Sequence, residues 1–352
     1  MLHITEPHAA PGAGALVELA SFGTNPGQLK GWLYLPPDLE PGAALVVALH
    51  GCTQSAADFA AGTGWNALAD RHGFAVLYPE QQKANNGNRC FNWFEPDDIT
   101  RGRGEVASIY QMTAHLVETQ GLDNRRVHVM GLSAGGAMAN AMLAAYPEIY
   151  NSGAIVAGLP YGIASTVGEA LSVMRGRHPP TAQVLAARIR TAPIRRHAPP
   201  RVSVWQGGQD HTVRRSNAAD IIDQWLSLYP DLDEPQLDYP ADGVTHRTWR
   251  DASGHVQLEA YDIERMGHGW PVDPEARKPL SQTAPYFLDA PVSGTARIAR
   301  FFGLIDRRAL ALHERSAAAV SPAPEEETVT RDGGHGFTGL IRDALKAVGF
   351  TR

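Results

Sequence analysis

Val127-His128-Val129-Met130-Gly131-Leu132-Ser133-Ala134-Gly135-Gly136-Ala137 is the stretch that decides the fold. Its first residues form a short apolar run of the kind expected from a strand buried on both faces. Residues 134–146 are small and apolar and stop before Pro147, which suits a helix packed under a sheet. Between them, Gly131-Leu132-Ser133-Ala134-Gly135 fits G-x-S-x-G, a tight turn that holds its serine in a strained backbone conformation. Large side chains two residues to either side would clash, hence the glycines. The pattern is common by chance. Placed between a strand and a small-residue helix it reads as a nucleophile elbow, with Ser133 as the candidate nucleophile.

Working outward, strand-like and helix-like runs alternate. Residues 29–35 read as a strand ended by Pro36-Pro37, 44–49 as a continuous apolar strand, and 75–78 as another closed by Pro79. The pattern returns at 154–157 and 202–205. Residues 105–120 place Val106, Ile109, Met112, Leu116 and Val117 on one helical face, with Gly121 as the stop. Residues 217–229 read as a helix, and 245–250 with 256–263 as a hairpin or two late strands. This alternation predicts an α/β protein of the α/β-hydrolase fold over 29–310, a mostly parallel sheet with helices on both faces. Residues 1–28 form an N-terminal extension or an edge hairpin. Residues 160–200, rich in Arg, His and Pro around a helical piece at 182–189, are a cap or rim insertion over the sheet's C-terminal edge, or a surface excursion. Residues 316–336 read as a linker. In 337–352, Phe337, Leu340, Ile341, Leu345 and Val348 fall at helical spacing. That predicts a C-terminal amphipathic helix, docked on its own body, in a dimer contact, or adsorbed to a hydrophobic surface.

The chain has 352 residues, 43% of them hydrophobic and 19% charged, which is ordinary for a folded globular protein. With 31 basic and 37 acidic residues the net charge is −6, and no Lys/Arg run would track a phosphate backbone, so no nucleic-acid partner is expected. No apolar stretch reaches the roughly 18–20 residues of a membrane span, and no membrane partner is expected. The N-terminus has no basic region followed by an apolar one, so no signal peptide is read. Cys52 and Cys90 are the two cysteines, and the sequence leaves open two free buried thiols or one disulfide.

A serine hydroxyl needs a base to take its proton, and the base needs an orienting carboxylate. In this fold the chain order is Ser, then Asp or Glu, then His. Among 14 histidines, His268 in Met266-Gly267-His268-Gly269-Trp270-Pro271 is the best placed, on a loop after the last strand-like run. His246 and His255 are expected to face solvent, and His211 to point away. Asp210, in Trp205-Gln206-Gly207-Gly208-Gln209-Asp210, is the candidate acid; Asp242 is its rival, and a helix cap is the bland alternative for Asp210. The oxyanion hole needs two backbone N–H donors. Ala134, just after the nucleophile, should give one. The loop His50-Gly51-Cys52-Thr53-Gln54 leaves the 44–49 strand, and the Cys52 N–H should give the other. No metal or cofactor is called for.

With these residues placed, the sequence resembles esterases of the poly(3-hydroxybutyrate) depolymerase family, related to the feruloyl and acetylxylan esterases of carbohydrate esterase family one. The likeness is carried by Leu49-His50-Gly51-Cys52-Thr53-Gln54, Gly62-Thr63-Gly64-Trp65-Asn66 and Tyr78-Pro79-Glu80-Gln81. Asn88-Arg89-Cys90-Phe91-Asn92-Trp93-Phe94, the serine turn and Gly267-His268-Gly269-Trp270-Pro271 complete it. The resemblance implies a Ser133/Asp210/His268 triad acting on carboxylic esters without a cofactor. It implies a Cys52–Cys90 disulfide tying the oxyanion loop to the Asn92-Trp93 loop, and Trp270 as a wall of the acyl crevice. Trp93 and Gln54 join Trp270 as substrate-binding candidates, whereas Trp65 and Phe94 read as core. Three functions follow as expectations: a short-chain hydroxyalkanoate esterase, a feruloyl or acetylxylan esterase, or a non-catalytic scaffold. Family members are often exported, so a secreted or periplasmic home is expected, with a cytoplasmic one as the alternative. The tail after Ser316 is too short for a polymer-binding domain, which favours soluble oligomers or amorphous polymer as substrate.

Overall fold

The computed structural model describes residues 15–177, 181–192, 198–229, 231–232, 234–274 and 285–318. Its centre is a ten-stranded sheet in the order β1-β2-β4-β3-β5-β6-β7-β10-β9-β8. The strands are β1 (Val17–Glu18), β2 (Lys30–Tyr34), β3 (Ala44–Leu49), β4 (Phe74–Glu80), β5 (Val127–Leu132) and β6 (Ser152–Val156). β7 (Arg201–Gly207), β8 (Gln236–Ala241), β9 (Val244–Arg250) and β10 (Val256–Ile263) follow. Strands β4, β3, β5, β6, β7 and β10 run parallel; β1–β2 at one edge and β9–β8 at the other are antiparallel. This is the α/β-hydrolase architecture.

Every residue of β3 is buried. Strand alternation sends Leu45, Val47 and Leu49 into one core and Ala44, Val46 and Ala48 into the other. The first core is covered by α4 (Gly104–Thr119), α5 (Ala134–Ala145) and α8 (Ser216–Leu226), through Val106, Ile109, Met112, Met138, Met142, Ile221 and Trp225. The second is covered by α1 (Ala56–Thr63), α2 (Trp65–His72) and α9 (Gly294–Phe302), through Phe59, Trp65, Leu68, Ile298 and Phe302. The short α3 (Pro96–Ile99) precedes α4, and α10 (Arg307–Ala318) follows α9. A run apolar at every position is the signature of a strand sandwiched in this way.

Several boundaries differ from expectation. β4 runs through Pro79 to Glu80. Its ladder with β3 ends at Val47 opposite Leu77, so the missing Pro79 N–H costs that ladder nothing. Helices α1 and α2 stand where the sequence predicts no element, although Ser55 and Asp58 form a reciprocal cap at the start of α1. Both are too short to show a clear period. Of the 160–200 insertion, α6 (Val167–Met174) and α7 (Ala182–Thr191) are described. They lie against α8: the Gln224 side chain bonds Tyr161 and Leu185, and Asn217 Nδ2 donates to the Val173 carbonyl. At the N-terminus, β1 adds an antiparallel edge to β2. The expected linker from 316 meets helix as far as Ala318. Its remainder, and the expected helix at 337–352, lie outside the described residues.

Candidate active site

The parallel strands deliver their C-terminal ends to one edge, where open α/β sheets place ligand crevices. Ser133 leaves β5 there with φ 58° and ψ −119°, a region costly for a residue with a side chain. Its N–H donates to the Val156 carbonyl at 2.8 Å, which anchors the turn to β6. A Cβ on Gly131 would stand 2.2 Å from the Gly135 carbonyl oxygen, and one on Gly135 2.2 Å from the Leu49 carbonyl oxygen. The two glycines therefore let β5, α5 and the end of β3 meet backbone to backbone.

His268 follows β10 on a loop that leads into β11 (Trp270–Val272), which pairs with β12 (Phe287–Asp289). Its Nε2 lies 2.9 Å from Ser133 Oγ, and its Nδ1 lies 2.7 Å from Asp210 Oδ2. A carboxylate can only accept, so Nδ1 carries the ring proton and Nε2 is left as the acceptor for the serine hydroxyl. Asp210, in the loop after β7, has a fully buried side chain. Its Oδ1 accepts from the backbone N–H of Thr212 and Val213 at 2.9 and 2.8 Å, and Gln206 Nε2 donates to Oδ2. Sequence reasoning missed Gln206, a β7 residue with no motif to mark it. Asp242, the rival acid, is exposed and paired with Arg265. His211 is exposed beside Arg214, and His255 is exposed on a turn. His246 corrects its solvent-facing expectation: it is half-buried, stacked on Tyr261 and bonded to Glu259.

The His50–Gln54 loop, where the sequence predicts an oxyanion donor, is held from several sides. Cys52 is disulfide-bonded to Cys90. Thr53 N–H donates to the Asn88 carbonyl at 2.6 Å, and Gly51 N–H donates to Gln54 Oε1 at 2.8 Å. His50 Nδ1–H donates to the Gly51 carbonyl at 2.7 Å, and His50 Nε2 accepts from Gln81 N–H at 3.1 Å. Burial lowers the His50 ring to about 4, so it is neutral, as these two bonds require. Among the described residues, the N–H groups of Cys52 and Ala134 bond no other residue.

Of the three substrate-binding candidates, Trp270 is corrected. It is fully buried, its Nε1–H donates to Thr295 Oγ1 at 3.0 Å, and its ring meets Phe59 edge to face. It is a wall of the second core, where β11 packs beside α9. Trp93 is buried, shares a core cluster with Cys52 and Phe91, and packs edge to face on Phe94. Gln54, 4% exposed, uses its carbonyl on Gly51. Trp65 is core, as expected. Among the described residues no cluster of His, Cys, Asp or Glu could hold a metal, and no helix is long and apolar enough to cross a membrane.

A ten-stranded α/β sheet with an elbow serine hydrogen-bonded to a His–Asp pair at its C-terminal edge defines the class: an α/β-hydrolase. The family model described as "Esterase PHB depolymerase" matches residues 29–236. Over 293 residues the chain is 40% identical to poly(3-hydroxyalkanoate) depolymerase C of Paucimonas lemoignei, covering 83% of this chain and 70% of that protein. It is 28% identical over 270 residues to feruloyl esterase B of Talaromyces funiculosus, covering 74% of this chain and 75% of that one. In fold it is similar to the acetyl xylan esterase from Aspergillus awamori, with a TM-score of 0.68 at 21% identity, covering 83% of this chain and all of that one. The chain belongs to the PHB depolymerase esterase family and is a carboxylic ester hydrolase.

Proposed function

We propose that this chain hydrolyses short-chain hydroxyalkanoate esters, oligomers or polymer of 3-hydroxybutyrate, through a Ser133–His268–Asp210 triad and an acyl-enzyme. The observation that carries the reading is the hydrogen-bonded series Ser133 Oγ–His268 Nε2 and His268 Nδ1–Asp210 Oδ2, at 2.9 and 2.7 Å. Ser133 attacks the ester carbonyl while His268 takes its proton. Asp210 holds the imidazole and stabilises the imidazolium. The Cys52 and Ala134 N–H groups, otherwise unengaged among the described residues, receive the oxyanion. His268 then protonates the leaving alcohol, and water attacks the acyl-enzyme with His268 as base. The acyl preference rests on the 40% likeness to a polyhydroxyalkanoate depolymerase against 28% to a feruloyl esterase. An oxidising compartment, periplasmic or extracellular, suits the Cys52–Cys90 bond.

Ser133→Ala should keep the fold and abolish turnover of p-nitrophenyl butyrate, and fluorophosphonate should label Ser133 in the parent protein. Parallel assays on hydroxybutyrate trimer and methyl ferulate test the acyl group. Faster turnover of methyl ferulate would move the function to cell-wall esters. Activity retained without the Ser133 hydroxyl would end the mechanism.

A further inference from the structure

Behind the oxyanion loop lies a buried polar cluster that none of the steps above uses. Glu105, in the first turn of α4, is 1% exposed. One of its carboxyl oxygens accepts from Gln81 Nε2 and the other from the Asn92 N–H at 2.9 Å. Gln81, also 1% exposed, donates from the same amide nitrogen to the Cys90 carbonyl and through its backbone N–H to His50 Nε2. Two routes therefore run from one carboxyl to the Cys52 N–H. One passes through Gln81 and the His50 ring to the Gly51 carbonyl. The other passes through Gln81 and Asn92 to the 88–92 segment, which holds Cys52 by the disulfide and Thr53 by the Asn88 carbonyl.

A buried carboxyl is expensive, and burial together with Asp98 raises Glu105 well above the usual carboxylate range. An apolar side chain could fill the same space without that cost. What an apolar side chain cannot do is accept from an amide and a backbone N–H at once, and so fix two points of the loop between β4 and α3 relative to α4.

We infer that Glu105 is a positioning residue for ester hydrolysis, holding Gln81 and Asn92 so that the Cys52 N–H stays aimed at the developing oxyanion. The inference rests on the oxyanion role given to Cys52 above. A misaimed donor weakens transition-state binding and leaves ground-state binding nearly unchanged, so the loss falls on kcat.

The test compares Glu105→Gln, Gln81→Leu and the double variant with p-nitrophenyl butyrate, alongside Ser133→Ala. Deleting an oxyanion donor outright costs about 10²–10³ in kcat. Misaiming one should cost less, about 10- to 100-fold in each single variant, with KM within about 2-fold. Affinity for a boronic acid, which forms a tetrahedral serine adduct, should fall by the same factor. The double variant should lose no more than the worse single, since both act through one clamp. Assays run well below each variant's unfolding midpoint separate this from simple destabilisation, and Gln81→Leu carries the test if Glu105→Gln does not fold. Parental kcat in the folded variants, a rise in KM alone, or losses that multiply would overturn the inference. If Ser133→Ala is inactive and these variants keep parental kcat, the positioning role alone fails. If Ser133→Ala stays active, the triad reading itself fails.

Discussion

Gly135→Ala is the sharpest probe of how the site is built. Its new Cβ would stand 2.2 Å from the Leu49 carbonyl oxygen and 2.4 Å from that of His50. Real Cβ atoms essentially never come within 3.0 Å of another heavy atom, so the end of β3 and the start of α5 must separate by at least 0.8 Å. Both opposing groups are backbone, so no rotamer change relieves the contact. The separation falls between Ser133 and the His50–Gln54 loop, the two parts that the proposed mechanism brings to one substrate carbonyl. If Ser133 moves with α5, its 2.9 Å bond to His268 stretches toward about 3.7 Å, beyond productive proton transfer. A misplacement near 1 Å can cost about 10²-fold in rate. Overpacking of this kind costs about 1–3 kcal/mol in stability. The assays are kcat/KM on p-nitrophenyl butyrate and thermal unfolding. The control is Gly168→Ala, at an exposed helical position where a Cβ meets nothing within 4 Å. It should leave activity unchanged and raise stability by up to about 1 kcal/mol. A folded Gly135→Ala protein with parental kcat/KM would refute the close approach and the reasoning built on it.

Asp210→Asn can no longer dictate the His268 tautomer and should lower kcat by about 10⁴ with the fold retained; a loss under tenfold counts against Asp210 as the acid. Replacing both Cys52 and Cys90 by Ser opens a cross-link between positions 38 apart, which loop-closure entropy values at about 4 kcal/mol. Denaturant unfolding should show that loss together with reduced kcat; unchanged kcat would mean that the oxyanion loop holds itself. Trp270→Ala should cost about 3–5 kcal/mol as a core cavity, yet change KM for hydroxybutyrate trimer and p-nitrophenyl acetate alike. A selective rise for the trimer would return Trp270 to the acyl pocket. His50 is depressed to about 4 by burial, so its contribution to stability is full above its unfolded value near 6.5 and is lost as pH falls toward 4. That loss amounts to about 3 kcal/mol for the one ring. His50→Gln should flatten the acid limb of stability against pH, and an unchanged limb would argue against it.

Local physics made much of this chain readable as a sequence. β3, β5 and the hairpin β9–β10 were legible because a strand buried on both faces, or paired to its neighbour, writes its pattern into consecutive residues. The serine turn was legible because its strain demands glycine within two positions on either side. The order of Ser133, Asp210 and His268 was legible too, since each stands at the end of its own strand-like run. Their meeting was not, because His268 is 135 positions from Ser133 and 58 from Asp210, and the sheet order alone closes those distances. Trp270 shows the same limit from the other side. Its place next to His268 suggested a crevice wall, but the packing of β11 beside α9 puts the ring in the core beside Phe59. Gln81 stands in a segment that carries the family likeness, yet neither it nor Gln206 and Glu105 reveals its partners in the sequence, because a buried polar side chain is defined by contacts far along the chain. The sequence alone determined which residues could react. The tertiary structure decided which of them touch, because burial and hydrogen-bond pairing depend on contacts between distant segments.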